Sequence, residues 1–334
     1  MAPFDRSEDF RWDYTDQPHA SRRLEILRKH PEIRQLMLAR GDRRQVALGV
    51  IVGLLQLWLG MFTRDASVPV RLFVNICLGS WLAVWLFMSL HEAAHGLVFG
   101  PSYPRLNKAY GLFLNLFLGF PVFCFFKKHH LDHHRHQGDS FIDVEYPSEP
   151  ERRLFPPRST LLKFCWFHMN GIFQMIRSKF LGPQRPIGAE ERLNQLSVLL
   201  FDFWLLYAGY QWALSHMLVA FFVAIGCSVV GCWNLASHTL YFRKQEVDET
   251  MSYYGWLNGP YLNLGYHMEH HDFPNIPSRF LPKIREIAPE FYGSHYFHDS
   301  LATPVLKFLH DPSIGVHSRL KRLATATESS RKGD

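Results

Sequence analysis

Cysteine is scarce in this 334-residue chain. Cys77, Cys124, Cys165, Cys227 and Cys232 make an odd five, all in apolar stretches and none in a Cys-x-x-Cys pair. That excludes a disulfide framework and leaves the thiols as small reduced hydrophobes. The first 45 residues lack an apolar run, so no cleavable leader is expected. The chain opens Met-Ala and so lacks the Met-Gly signal for myristoylation. Acidic residues are outnumbered, 30 against 36 Lys and Arg, for a net charge of +6. A basic balance suits either nucleic acid or an anionic membrane face. Mean hydropathy is only -0.10. The Leu, Phe and Trp nevertheless gather in blocks, which selects the membrane over a nucleic-acid partner.

Four blocks approach spanning length. Residues 46–62 and 72–90 make a first hairpin, with Arg64, Asp65 and Pro69 in its turn. Residues 196–214 and 217–236 make a second, turning near Ser215-His216, with Asp202 inside its first arm. The expected fold is an all-α integral membrane protein of four transmembrane helices, two hairpins, under a cytosolic helical cap. Residues 1–45 form a cytosolic amphipathic segment. Its helix over Ser21–Met37, interrupted at Pro31, is expected to lie on the bilayer surface. Residues 91–195 are a cytosolic or interfacial region, 237–324 the cap, and 325–334 a disordered tail. Ten Lys or Arg in the first 45 residues, two in the first external turn and none in the second place both termini in the cytosol.

Three histidine runs stand at the ends of apolar stretches: His91-Glu-Ala-Ala-His95, His130-Leu-Asp-His133-His134 and His267-Met-Glu-His270-His271. On a helix, positions i, i+3 and i+4 share a face, so the first run aims two rings together and each of the others three. Imidazole suits iron, zinc and copper. Eight imidazoles are too many for one ion, which takes three or four protein ligands, and about right for two. His238, at the exit of the last span, adds a ninth. Asn234, one helical turn before it, is placed to hold a water on the metal. Asp132 and Glu269, inside the motifs, are natural acceptors for ligand N–H groups. No catalytic side chain is expected beyond the metal centre. The other ten histidines, among them His19, His129, His136 and His168, read as ordinary.

A shared site requires the runs to lie on one side of the membrane. Residues 109–126 must then be re-entrant, interfacial or buried against other helices, and 161–180 interfacial. Two rival classes use the same residues. His91-Glu92-Ala-Ala-His95 also satisfies the His-Glu-x-x-His signature of a zinc metalloprotease, with Glu92 as general base, but that leaves six motif histidines unused. A metal transporter would place ligands near the span midpoints, where this chain has none.

Two imidazole-bound irons can activate dioxygen and attack an unactivated C–H bond, and a site flush with the bilayer suits a lipid substrate. The three runs, in this order between apolar spans, resemble the membrane fatty-acyl desaturase and hydroxylase superfamily. The nearer resemblance is to its sphingolipid delta(4)-desaturases. It is carried by Tyr14-Thr-Asp-Gln-Pro-His-Ala20, His91-Glu-Ala-Ala-His95, His130-Leu-Asp-His-His-Arg135, Ser252-Tyr-Tyr-Gly255 and Gly265-Tyr-His-Met-Glu-His-His-Asp-Phe-Pro-Asn-Ile-Pro277. It implies a multi-pass endoplasmic-reticulum enzyme with two iron ions and dioxygen as oxidant. Electrons would come from NADH through cytochrome b5 and its reductase. The substrate would be dihydroceramide, which gains a trans C4–C5 double bond to become ceramide, with C4 hydroxylation as a side outcome. In the related stearoyl desaturases a His and an Asn at the positions of His238 and Asn234 also serve the metals. No haem-binding His-Pro-Gly-Gly core of a fused cytochrome b5 is present, so the electron donor is expected to be separate.

Overall fold

The computed structural model describes residues 11–13, 18–37, 41–139, 141–180, 186–226, 229–240 and 248–322. The tail at 325–334 and residues 14–17 of the first motif lie outside them. Where apolar side chains dominate, the chain is helical, because a backbone without water must satisfy its own N–H and C=O groups. Helix α1 is His19–Lys29 and α2 Arg44–Phe62. Helix α3 runs unbroken over Val68–Ala94, through a π-helical turn at Val74–Gly79. Its 27 residues span about 40 Å at 1.5 Å each, more than the ~30 Å hydrocarbon core, and His91 stands in its last turn. Then come α4 (Pro104–Asn115), α5 (Phe123–His136), α6 (Glu149–Leu154) and α7 (Thr160–Phe180). They are followed by α8 (Ala189–Tyr207), α9 (Gln211–Gly226) and α10 (Val229–His238). The C-terminal part adds α11 (His267–Asp272), α12 (Leu281–Ile287) and α13 (Ala302–His310).

Among the described residues three helices are long and apolar enough to cross a membrane: Arg44–Phe62, Val68–Ala94 and Gln211–His238. A bent pair, Pro104–Leu118 with Phe123–His136, would make a fourth if counted as one span, but it turns by 117°. Asn115 holds that bend. Its side-chain oxygen accepts from the Phe123 N–H at 2.8 Å and from Asn194 at 2.9 Å, while its amide donates to the Phe120 carbonyl at 2.6 Å. The backbone groups freed by the turn are thus satisfied away from water. Leu114, Phe117 and Phe123 pack into the same core as Leu86, Leu90 and Phe221. Much of 109–126 is thus packed against other helices, one of the three arrangements expected for it.

Two expectations need correction. The second hairpin does not turn at Ser215-His216, which lies inside α9; it turns over Ala208–Tyr210. Gly209 takes φ +81° there, and the Tyr210 N–H closes the helix on the Leu205 carbonyl at 2.7 Å. Apolar residues run on through this turn, so composition alone misplaces it. The arm before the turn, α8, opens with Glu190, Glu191 and Arg192, and it falls short of the composition of a span although Leu199, Leu200 and Phe203 are exposed along it.

The second correction concerns the N-terminal segment. Part of its apolar stripe is covered by protein, for Ile26 and Ile33 are fully buried against Met268, Phe273, Ile276 and Ile284 of the C-terminal part while Leu24 stays exposed. Pro31 does restart the helix, as a 3₁₀ turn over Pro31–Leu36. Helix α7 is amphipathic in its exposure. Leu161, Phe164, Ile172, Ile176 and Phe180 are exposed, while Lys163 and Arg177 turn inward. Arg177 pairs with Glu151, both buried, at 2.5 Å.

Candidate metal centre

Helical geometry sorts the histidines into two groups. His91, His95, His130, His134 and His270 bring one ring nitrogen each within 4.8 Å of one another, and so, separately, do His133, His238, His267 and His271. The nine members are the eight motif histidines and His238. The HxxHH runs do not aim all three rings alike, as the shared-face reading expected. On a helix, i and i+4 differ by about 40°, whereas i+3 and i+4 differ by about 100°. His130 and His134 therefore go to the first group and His133 to the second; His267 and His271 go to the second and His270 to the first.

The donor set fits metal ions. In the first group the Nε2 atoms of His91 and His270 lie 3.0 Å apart, those of His270 and His134 3.0 Å, and those of His134 and His130 3.1 Å. In the second, the Nε2 atoms of His238 and His267 lie 2.9 Å apart. Nε2 of His95, His133 and His271 is buried with no hydrogen-bond partner. Converging nitrogens without protein partners are costly unless something binds them. Burial pushes His267 down to about 3 and holds His270 and His271 well below the usual range, which favours the neutral imidazole that ligates metal.

The outer ring nitrogens are fixed from behind. His133 Nδ1–H donates to Asp143 Oδ2 at 3.0 Å, and His238 Nδ1–H to the Glu249 carbonyl at 3.2 Å. Sequence reasoning missed Asp143, which lies beyond the motif on a loop and is brought back by its own turn. Its Oδ2 also accepts the Gly138 N–H, and its Oδ1 the Glu145 N–H. Replacing Asp143 by Ala frees the His133 ring and is expected to cost about 10–100-fold in metal affinity or activity. Competition of the purified protein with a graded chelator series measures it. An unaltered affinity would mean that His133 is oriented by something else.

Asp132 is buried on α5. Glu269 is fully buried and takes its hydrogen bonds from hydroxyls instead of histidines: Ser252 Oγ at 2.7 Å and Tyr254 OH at 2.6 Å. Burial pushes its carboxyl up to about 7 despite both donors. That gives the Ser252-Tyr-Tyr-Gly255 motif a role, since it receives the acid of the third run. His19, read as ordinary, is not. Its ring centroid lies 4.9 Å from that of His271, and its Nδ1 bonds Asp272 Oδ1 at 2.7 Å. Arg22 grips Asp272 through two bonds of 2.7 and 2.8 Å, and Tyr292 OH donates to it at 3.0 Å. Asn234 donates through Nδ2 to Glu145 Oε2 at 3.0 Å and accepts from Asn170 at 3.1 Å. Glu145, also missed, stands between the groups, with Oε1 3.9 Å from His130 Nδ1 and Oε2 4.0 Å from His133 Nε2.

The protease reading does not survive. His91 and His95 belong to a five-histidine group, and buried Glu92 accepts the Ser278 N–H at 3.2 Å. An apolar cavity opens beside the centre, with Phe87, Phe126 and Trp233 on its walls and His91, His130, His267 and His270 at its polar end.

Residues 66–301 match the fatty acid desaturase family model, and residues 6–38 match that of the sphingolipid Delta4-desaturases. The chain is 36% identical to the sphingolipid delta(4)-desaturase DES1 of Mus musculus over 315 residues, covering 94% of this chain and 95% of the mouse protein. It is 37% identical to the DES1-like protein of Oryza sativa subsp. japonica over 321 residues, 96% and 95% of the two chains. The Homo sapiens DES1 is 36% identical over 94% of this chain and 95% of its own.

Proposed function

This chain belongs to the fatty acid desaturase family, and we infer that it is a sphingolipid delta(4)-desaturase, which converts dihydroceramide to ceramide by forming the C4–C5 trans double bond. The observation that carries the reading is the pairing of two converging histidine groups with an apolar cavity beside them. We propose that the groups hold two iron ions, five histidines on one and four on the other, and that Asn234 serves the second through water. Iron bound there supplies dioxygen activation and removal of hydrogen from an unactivated C–H bond. The protein's own part is positional. Asp143 and the Glu249 carbonyl keep ring nitrogens aimed inward, and the walls of Phe87, Phe126 and Trp233 hold hydrocarbon and exclude water.

Electrons are proposed to reach the centre from NADH through cytochrome b5 and its reductase, a cytosolic-face supply that suits a centre on the side of the basic N-terminal segment. The enzyme is placed in the endoplasmic-reticulum membrane with both termini cytosolic. That topology takes α2, α3, α8 and α9–α10 as four crossings and the bent α4–α5 pair as re-entrant. An even number of crossings keeps every histidine run on one face.

The test is lipid mass spectrometry on desaturase-null yeast that expresses the chain and is fed dihydroceramide. A product lighter by two hydrogens is expected. A product heavier by one oxygen as the main species would make it chiefly a C4 hydroxylase. Neither product from iron-loaded, well-expressed protein would end the sphingolipid assignment.

A further inference from the structure

The cavity beside the histidines is one arm of a fork. A second cavity shares Phe87, Phe126, Glu145, Val230 and Asn234 with it and runs away under α7, past Gly171, Gln174 and Met175, against Phe221 and Ile225 of α9. The arms are similar in size, with cavity volumes of about 100 and 130 Å³. Beyond Val122, Phe125 and Met175 the second arm continues into a third cavity, whose far end is polar, with Lys179 and Glu191. A single hydrocarbon chain needs one arm. Two arms that meet at a polar pair match a lipid with two tails joined through a polar linkage.

The junction has the chemistry for that linkage. Glu145 Oε2 is engaged by Asn234, while Oε1 stands 3.9 Å from His130 Nδ1, too far for a hydrogen bond. Glu145 lines both arms and so can accept a hydrogen bond from a ligand at the fork. In a dihydroceramide the amide N–H and the hydroxyls lie within a few bonds of C4. An acceptor beside the histidines is therefore where the head must sit if C4 is to reach the centre.

We propose that the fork is the binding site of a two-chain amide lipid: Glu145 receives its N–H or O–H donors, the arm at the histidines takes the long-chain base, and the arm under α7 takes the amide-linked acyl chain. The assignment rests on the desaturase reading and names how its substrate is held.

The experiment uses the full chain, iron-loaded, with cytochrome b5, its reductase and NADH. A dihydroceramide carrying a photoreactive diazirine at the end of its N-acyl chain is cross-linked to the wild-type protein, and the labelled peptides are sequenced. Label on Gly171, Gln174 or Met175 of α7 or on Phe221 or Ile225 of α9 is expected; label confined to Asn263, Leu264, Ser278 or Leu281, which line the other arm alone, would overturn the proposal. In parallel, Gln174→Trp, which fills the arm, is expected to lower the kcat/KM ratio of N-palmitoyl over N-acetyl dihydroceramide by about tenfold. An unchanged ratio in a variant with wild-type iron content would count against it. Glu145→Gln is expected to raise KM more than it lowers kcat, with iron retained; a loss confined to kcat and iron would make Glu145 part of the metal site instead. Wild-type protein that converts no dihydroceramide would refute the functional reading itself, separately from the fork.

Discussion

Replacing His271 by alanine is expected to abolish desaturation and to lower bound iron from about two per chain towards one. His271 belongs to the group of four. Its loss leaves three imidazoles, His133, His238 and His267, around one ion. His95→Ala instead leaves four in the other group, so it should retain iron better while still losing activity. Elemental analysis of both purified variants, alongside lipid mass spectrometry, reads the difference. Equal iron loss from the two would mean that the five-and-four division is wrong.

The second large effect is on stability. Asp272 is fully buried and is held by Arg22, His19 and Tyr292. Asp272→Ala leaves the largely covered Arg22 guanidinium without its buried partner, an expected cost of about 3 kcal/mol. In a thermal melt followed by tryptophan fluorescence this appears as a drop on the order of 10 °C. The pH dependence has a definite sign. Burial alone would raise the Asp272 pKa, but the His19 hydrogen bond and the His19 and Arg22 charges outweigh it and hold it below its usual value. A carboxyl whose folded pKa is depressed stabilises the protein above its unfolded value near ~4 and loses that contribution as pH falls through the folded one. Wild type and Asp272→Ala should therefore differ fully at neutral pH and converge in strong acid. A melt of the variant that matches wild type at neutral pH would remove the network from the account of what holds the N-terminal segment in place.

That network marks where sequence reading stopped. The helical class, the ends of α2 and the nine histidines are legible, because hydropathy blocks and repeated imidazole spacing are strong one-dimensional signals. His238 is found because it stands at the end of an apolar run, as His91 does. The split of the HxxHH runs follows from a 100° step between neighbouring helical positions, which the one-face approximation hides. Asp143, Glu145 and His19 carry no such signal. Each is a common residue whose meaning comes from a partner elsewhere: His133 for Asp143, Asn234 for Glu145, Asp272 for His19. The amphipathic stripe of α1 was visible, but a stripe does not say whether lipid or protein covers it. Ile26 shows that here protein covers part of it.

Helix α11 has six residues, His267–Asp272, and a helix that short has little tendency to persist alone. Yet it supplies His270 to one histidine group and His267 and His271 to the other. If each group holds an ion, capture of either would fix the same turn of backbone and so prepay the ordering cost of the other site. The two ions would in this way be linked like ligands of a cooperative receptor. An apo chain would then pass to the fully charged form with little of the half-charged species between, and a cell short of iron would hold a mixture of empty and complete enzymes more than a population of half-built ones.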